Sequence, residues 1–251
     1  MSSTALSRDF DSDTYNALLS VEESNRLARA DGGLAEFLES ASKLFVASGM
    51  HERFGVALLH KHNAVEAGER MIQYEGVVGG EKALITRPVS EETGLDEEVP
   101  SIWKLSDGRF LPLEFTSDSL ARDLFSASEP PEGFLNAFSD LLKSSRAGRY
   151  FGLAVVEREF CQSAKANEVG LEFTNPEARS NIVFLRSRGA SANSIETQWT
   201  FDGHVDTVSG GIVAETTCAA TCRFECIVDD PVDRPPTHSR VHFDHHVQRP
   251  D

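Results

Sequence analysis

Cys218, Cys222 and Cys226 recur at every fourth residue of TTCAATCRFEC, and His238, His242, His245 and His246 follow closely in THSRVHFDHH. Thiolates followed by imidazoles are a donor set that zinc favours, at about 2.3 Å to sulfur and about 2.0 Å to nitrogen. Cys222, Cys226, His238 and His242 are the preferred ligands on this reading, with Cys218 in reserve. Residues four apart on an extended strand are separated by roughly 13 Å, so a chelating pair must sit on a turn, and the metal reading predicts a knuckle between Cys222 and Cys226. The same run of Thr, Cys, Phe, Ile and Val also reads as a strand whose thiols are small buried apolar groups.

A second constellation lies in Leu58-Leu59-His60-Lys61-His62-Asn63. Strand alternation sends Phe54, Val56, Leu58, His60 and His62 to one face and Lys61 and Asn63 to the other, so an apolar face ends in two neighbouring imidazoles. Such a pair can hold a metal or share acid/base work, and it reads equally as one core histidine beside one exposed histidine. Glu114, in Leu111-Pro112-Leu113-Glu114-Phe115, is an acid inside an apolar strand. Burial would raise its pKa towards that of a general acid, whereas a place on the solvent face would leave it without a role.

These residues need elements to position them. Residues 1–13 are polar and acidic and read as a flexible tail, followed by a weak helix over 14–29. Leu34, Phe37, Leu38, Ala41, Leu44 and Phe45 form one helical stripe that Gly49 ends. Short β-like runs follow at 54–60, 71–78, 83–89, 102–105 and 110–116, the last two joined at Ser106-Asp107-Gly108 as a hairpin. Phe134, Leu135, Phe138, Leu141 and Leu142 mark one further helix near 133–147, and strands resume at 150–156, 169–174, 181–187 and 194–201. Without regular βα alternation, the expectation is an α+β fold: N-terminal helices packed on a largely antiparallel sheet. A single domain over 14–251 would then carry a Cys/His-rich metal-binding segment at about 215–246.

The chain has 251 residues, with 24 Lys and Arg against 40 Asp and Glu, for a formal charge of −16. That charge repels polyanions and anionic membranes, so neither nucleic acid nor a membrane is an expected partner, whatever the finger-like outline C-x3-C-x11-H-x3-H suggests. No apolar run is long enough to span a bilayer, and the expectation is a soluble, cytoplasmic protein with reduced cysteines. The absence of G-x-G-x-x-G, Walker, G-x-S-x-G and H-E-x-x-H motifs removes the commonest nucleotide, acyl-transfer and zincin chemistries.

The order LLHKHN at 58–63, DGRFLPLEF at 107–115, TQWTF at 197–201 and the Cys-x3-Cys and His-x3-His tail resembles the fungal cyclopenases. That resemblance implies a zinc protein of secondary metabolism that contracts a benzodiazepine-type ring in alkaloid biosynthesis. It implies zinc acting as a Lewis acid on a carbonyl of a small-molecule substrate, with a nearby imidazole moving a proton. The resulting expectation is a zinc-binding, lyase-like or hydrolase-like enzyme performing a non-redox elimination, rearrangement or hydrolysis, with His60, His62 and Glu114 as acid/base groups. The alternative is a non-enzymatic binding protein whose zinc only clips the C-terminus onto the fold.

Overall fold

In the computed structural model the described residues are 5–91, 98–127, 129–156, 159–165, 167–188, 194–205 and 211–223. Among them run ten strands: β1 (Phe54–Leu58), β2 (Glu69–Val78), β3 (Glu81–Ser90), β4 (Val99–Ser106), β5 (Arg109–Thr116), β6 (Phe151–Val155), β7 (Glu168–Asn175), β8 (Ser180–Ser187), β9 (Ser194–Val205) and β10 (Ile212–Arg223). The helices are α1 (Ser12–Asn16), α2 (Val21–Ala30), α3 (Leu34–Ala47), α4 (Ser119–Ala127), α5 (Glu132–Ser144) and α6 (Glu159–Gln162).

Local sequence explains the hairpins. In β4/β5 the connection is Asp107-Gly108, both left-handed at φ 49° and 79°, the conformation whose twist matches that of paired antiparallel strands. β2/β3, β7/β8 and β9/β10 pair in the same antiparallel way. Longer-range pairings then join these units into a closed barrel in the order β1-β6-β4-β5-β2-β3-β8-β7-β10-β9. Two joints are parallel, β2 with β5 and β7 with β10, and β1 closes the ring against β9 through Val56 and Trp199.

This architecture corrects the expected α+β fold of helices packed on an open, largely antiparallel sheet. The sheet is a closed, mixed ten-stranded barrel. Alternation within a segment shows that it is a strand but carries no record of which distant strand it meets, and the parallel joints and the closure are such meetings.

Closure gives every strand an inner and an outer face. Phe54, Val56 and Leu58 of β1, Phe151, Leu153 and Val155 of β6, Trp103 of β4 and Trp199 and Phe201 of β9 form the outer face on one side. They pack with Phe37, Phe45, Phe134 and Phe138 of α3 and α5, and the Phe45 ring lies 5.0–5.2 Å from those of Phe134, Phe138 and Phe201. Each fully buried side chain of this kind stabilises the fold by about 1.5–3 kcal/mol. Further round the barrel the outer face meets solvent, as at the exposed Arg87 of β3. The inner face is narrow beside the helices, where Gly55 and Ala57 of β1 pair with Ala154 and Gly152 of β6.

The expected flexible tail does not describe residues 5–13. Leu6 bridges Phe110, Ser7 accepts a hydrogen bond from the Trp103 indole, and Tyr15 of α1 is completely buried.

At Gly152 an added Cβ would lie 2.1 Å from the Trp103 carbonyl oxygen and 2.6 Å from a Leu59 methyl. Gly152→Ala is therefore expected to cost about 1–3 kcal/mol in urea unfolding, the range for an overpacked core. Gly133→Ala, on α5 with nothing within 4 Å of the new methyl, should be neutral or slightly stabilising in the same assay.

Candidate metal centre

The register carries one polar belt around the inner face. Thr174 of β7, Asn181 of β8, Thr86 of β3, Gln73 of β2 and Thr116 of β5 are successive cross-strand partners. Gln73, Thr86, Thr116 and Asn181 are buried, and Gln73 donates to the Thr86 hydroxyl at 3.3 Å. Glu172, two residues before Thr174, faces the same way and is buried as well.

His60 and His62 enter this interior from the end of β1. The strand stops at Leu58, because the next backbone groups are taken by other elements. The Leu59 amide donates to the Tyr150 carbonyl at 2.7 Å, the Leu59 carbonyl accepts from the Ser24 hydroxyl of α2, and the Lys61 amide donates to the Leu19 carbonyl. The Lys61 ammonium donates to the Asn16 carbonyl, while the Asn16 side chain bonds both the amide and the carbonyl of Val65. Pinned by α1 and α2, the segment leaves strict alternation, and both imidazoles turn to Glu172.

The Nε2 atoms of His60 and His62 are 3.0 Å apart. Glu172 Oε2 lies 3.3 Å from His62 Nε2 and 3.8 Å from His60 Nε2. An ion about 2.1 Å from two donors, at angles between square and tetrahedral, spaces them about 3.0–3.4 Å apart; the His60–His62 and His62–Glu172 separations fall in that range, and the His60–Glu172 separation of 3.8 Å is wider. Each ligand is also oriented from behind: His60 Nδ1 meets the Leu58 carbonyl at 2.7 Å, His62 Nδ1 meets the Thr174 hydroxyl at 2.7 Å, and Glu172 Oε1 accepts from the Thr197 hydroxyl at 2.9 Å. A carbonyl only accepts, so His60 Nδ1 carries a proton and Nε2 is the ring atom turned towards His62 and Glu172. The buried His60-His62-Glu172 group could hold a metal ion.

The electrostatics are those of a shared cation. Burial opposes ionisation of Glu172, yet hydrogen bonds and charge from both imidazoles hold its carboxyl well below the usual range. Burial also opposes a charged His60, but Glu172 prevails and raises that imidazole's pKa. For His62, burial and the neighbouring His60 charge lower it. The pair therefore accepts one positive charge readily and a second with difficulty.

Glu114 of β5 is buried on the same inner face, beside Met71 of β2 in register, and its charge reaches both His60 and the hydroxyl of Tyr15. Burial first, and then Glu114, push the Tyr15 pKa well above its ordinary value, so this phenol keeps its proton. Cys222 of β10 is buried and pairs in register with Glu172, whereas Cys218 pairs with Trp199 on the outer face. The extra residue Ala219, which has no partner in the register between Cys218 and Ala220, puts these thiols on opposite sides of the sheet. Cys226, His238 and His242 lie outside the described residues.

The structure thus brings together His60, His62 and Glu114, with Cys222 alongside, and it adds Glu172, which the sequence reading passes over. The available signal was alternation in 169–174: Val169, Leu171 and Phe173 are apolar, while Gly170, Glu172 and Thr174 read as a solvent face. No family model, curated protein or solved structure matches the chain.

Two measurements follow from this geometry. Cobalt or zinc titration should find tight binding in wild type, at least 100-fold weaker binding in His62→Ala and Glu172→Gln, and a loss of about 10–100-fold in Thr197→Val, where only the orienting hydroxyl is removed. The second concerns the thiols: burial pushes the Cys218 pKa up to about 12 and the Cys222 pKa higher still. In a Cys161→Ser/Cys226→Ser background at pH 8, both should react with a disulfide reagent more than 100-fold slower than free cysteine, and unfolding in urea should abolish the difference.

Proposed function

We propose that this chain is a zinc enzyme of small-molecule, secondary metabolism, with His60, His62 and Glu172 as its metal ligands. The reaction is a non-redox elimination, a rearrangement of the cyclopenase-like ring-contracting kind, or a hydrolysis. One observation carries the reading: two buried imidazole nitrogens face each other 3.0 Å apart with a carboxylate beside them, a donor set that one metal ion would fit. Two histidines and one glutamate are a three-ligand set of the kind that leaves zinc a position for water or substrate, whereas structural sites close with four.

Bound there, zinc supplies Lewis acidity towards a substrate carbonyl or a bound water. Glu114 is the group placed to take or return a proton, and Tyr15, with its proton retained, can donate a hydrogen bond to an oxygen that becomes negative. Asn181, whose buried Oδ1 has no partner among the described residues, offers an acceptor on the belt that leads away from His62. A polar small molecule with carbonyl and N–H or O–H groups fits these donors and acceptors. The tail ligands Cys226, His238 and His242 belong to the competing reading, in which zinc only clips the C-terminus to the fold.

Elemental analysis of the purified protein should give about one zinc per chain, lost in His62→Ala and kept in Cys226→Ser; iron in its place would replace the non-redox reading. In the cobalt-substituted protein, azide should shift the visible bands by entering an exchangeable position. Unshifted bands, with cobalt retained in His62→Ala but lost in Cys226→Ser, would establish the structural clip and remove the enzyme.

A further inference from the structure

A second site lies on the outer face of the barrel and shares no lining residue with the candidate metal centre. Where α5 ends and the chain turns back into β6, a cleft of about 480 Å³ is lined by Lys104 of β4, Lys143, Arg146 and Arg149, above an apolar floor that includes Leu142 and Phe151. Its size falls in the range of small-molecule sites. The one acid lining it, Asp31, is already engaged: it pairs with Arg149 at 2.5 Å and accepts from the Tyr150 hydroxyl at 3.1 Å. Lys104, Lys143 and Arg146 make no ion pair with any described residue, in a chain of formal charge −16.

Cations near the last turn of a helix are ordinarily explained by the helix dipole, which accounts for Lys143 and Arg146. It does not account for Lys104, which arrives from a strand, nor for the convergence of all three on one concavity. The cleft is also rigidly framed. An added Cβ at Gly148 would lie 2.1 Å from the Leu142 carbonyl oxygen, so glycine alone lets the turn carrying Arg146 and Arg149 press against the end of α5.

We propose that this cleft binds a small phosphate-bearing molecule, a phosphate monoester or diphosphate. Lys104 and Lys143 act as point charges, Arg146 supplies a guanidinium fork, and the apolar floor receives the organic part. Three cations with no internal partner suit an anion of more than one charge, and the planar fork suits the paired oxygens of a phosphate. The site shares no residue with the metal centre and stands or falls independently of it.

Calorimetric titration with inorganic pyrophosphate tests the proposal, with citrate as the carboxylate comparison. Wild type should bind pyrophosphate with a Kd below about 1 mM at low salt. Binding should weaken as the salt concentration rises and fall at least 10-fold in Lys143→Ala/Arg146→Ala. That variant should keep the wild-type melting temperature and metal content without ligand, since both side chains are exposed. Arg87→Ala, which removes an exposed cation elsewhere, should leave binding unchanged. Absence of binding, or equal binding by the double variant, overturns the site. Citrate binding as tightly as pyrophosphate overturns the phosphate assignment.

Discussion

Closing a ten-stranded sheet into a ring turns one face of its strands towards an enclosed interior, and this constraint sets the rest of the molecule. Whatever polar groups alternate onto that face must find partners there or lie unsatisfied. The chain meets the demand unevenly. Beside the helices the inner face is reduced to Gly55, Ala57, Gly152 and Ala154, which let β1 and β6 curve tightly. Across the barrel it carries the belt from Thr174 to Thr116, with Glu172 and Glu114 next to it. Met71, Leu84 and Val183 share that interior, while most of the large aromatic side chains stand outside, under α3 and α5.

That inversion explains which features could be read from the sequence. The stripe from Leu34 to Phe45, the Asp107-Gly108 turn and most strands follow from local periodicity and turn chemistry, and the structure holds helices and strands at those places. The sense of the faces does not follow, because Glu172 alternating with Leu171 and Phe173 has the pattern of a solvated edge of an open sheet. Only the ring makes it an interior residue. His60 and His62 were visible because two imidazoles in a short run are uncommon in an apolar context. Their third partner was hidden by distance along the chain and by its place on a face that reads as wet. Tyr15 was lost for a related reason, since a short helix after a polar start gives no sign that its tyrosine is buried against Leu59 and Met71.

The centre itself balances like charges against burial. A carboxylate and two imidazoles removed from water are costly, and one positive charge shared among the three offsets that cost. The hydroxyls of Thr174 and Thr197 and the carbonyl of Leu58 hold the three side chains in that arrangement, so an ion binding there would meet a geometry already formed. A site prepared in this way gives up little conformational entropy on binding.

The parallel joints have a consequence for how the molecule comes to exist. β2/β3, β4/β5, β7/β8 and β9/β10 can each zip from a nearby turn, but β2 with β5, β7 with β10 and β1 with β9 require strands that are far apart in sequence. High contact order of this kind slows folding, because loop-closure entropy is lost before the distant pairing is gained. His62 and Thr174, 112 residues apart, become neighbours only when the circle is complete. The His60-His62-Glu172 cluster is therefore a signature of finished assembly: a nascent or half-closed chain has hairpins and helices but has not yet brought these three side chains together.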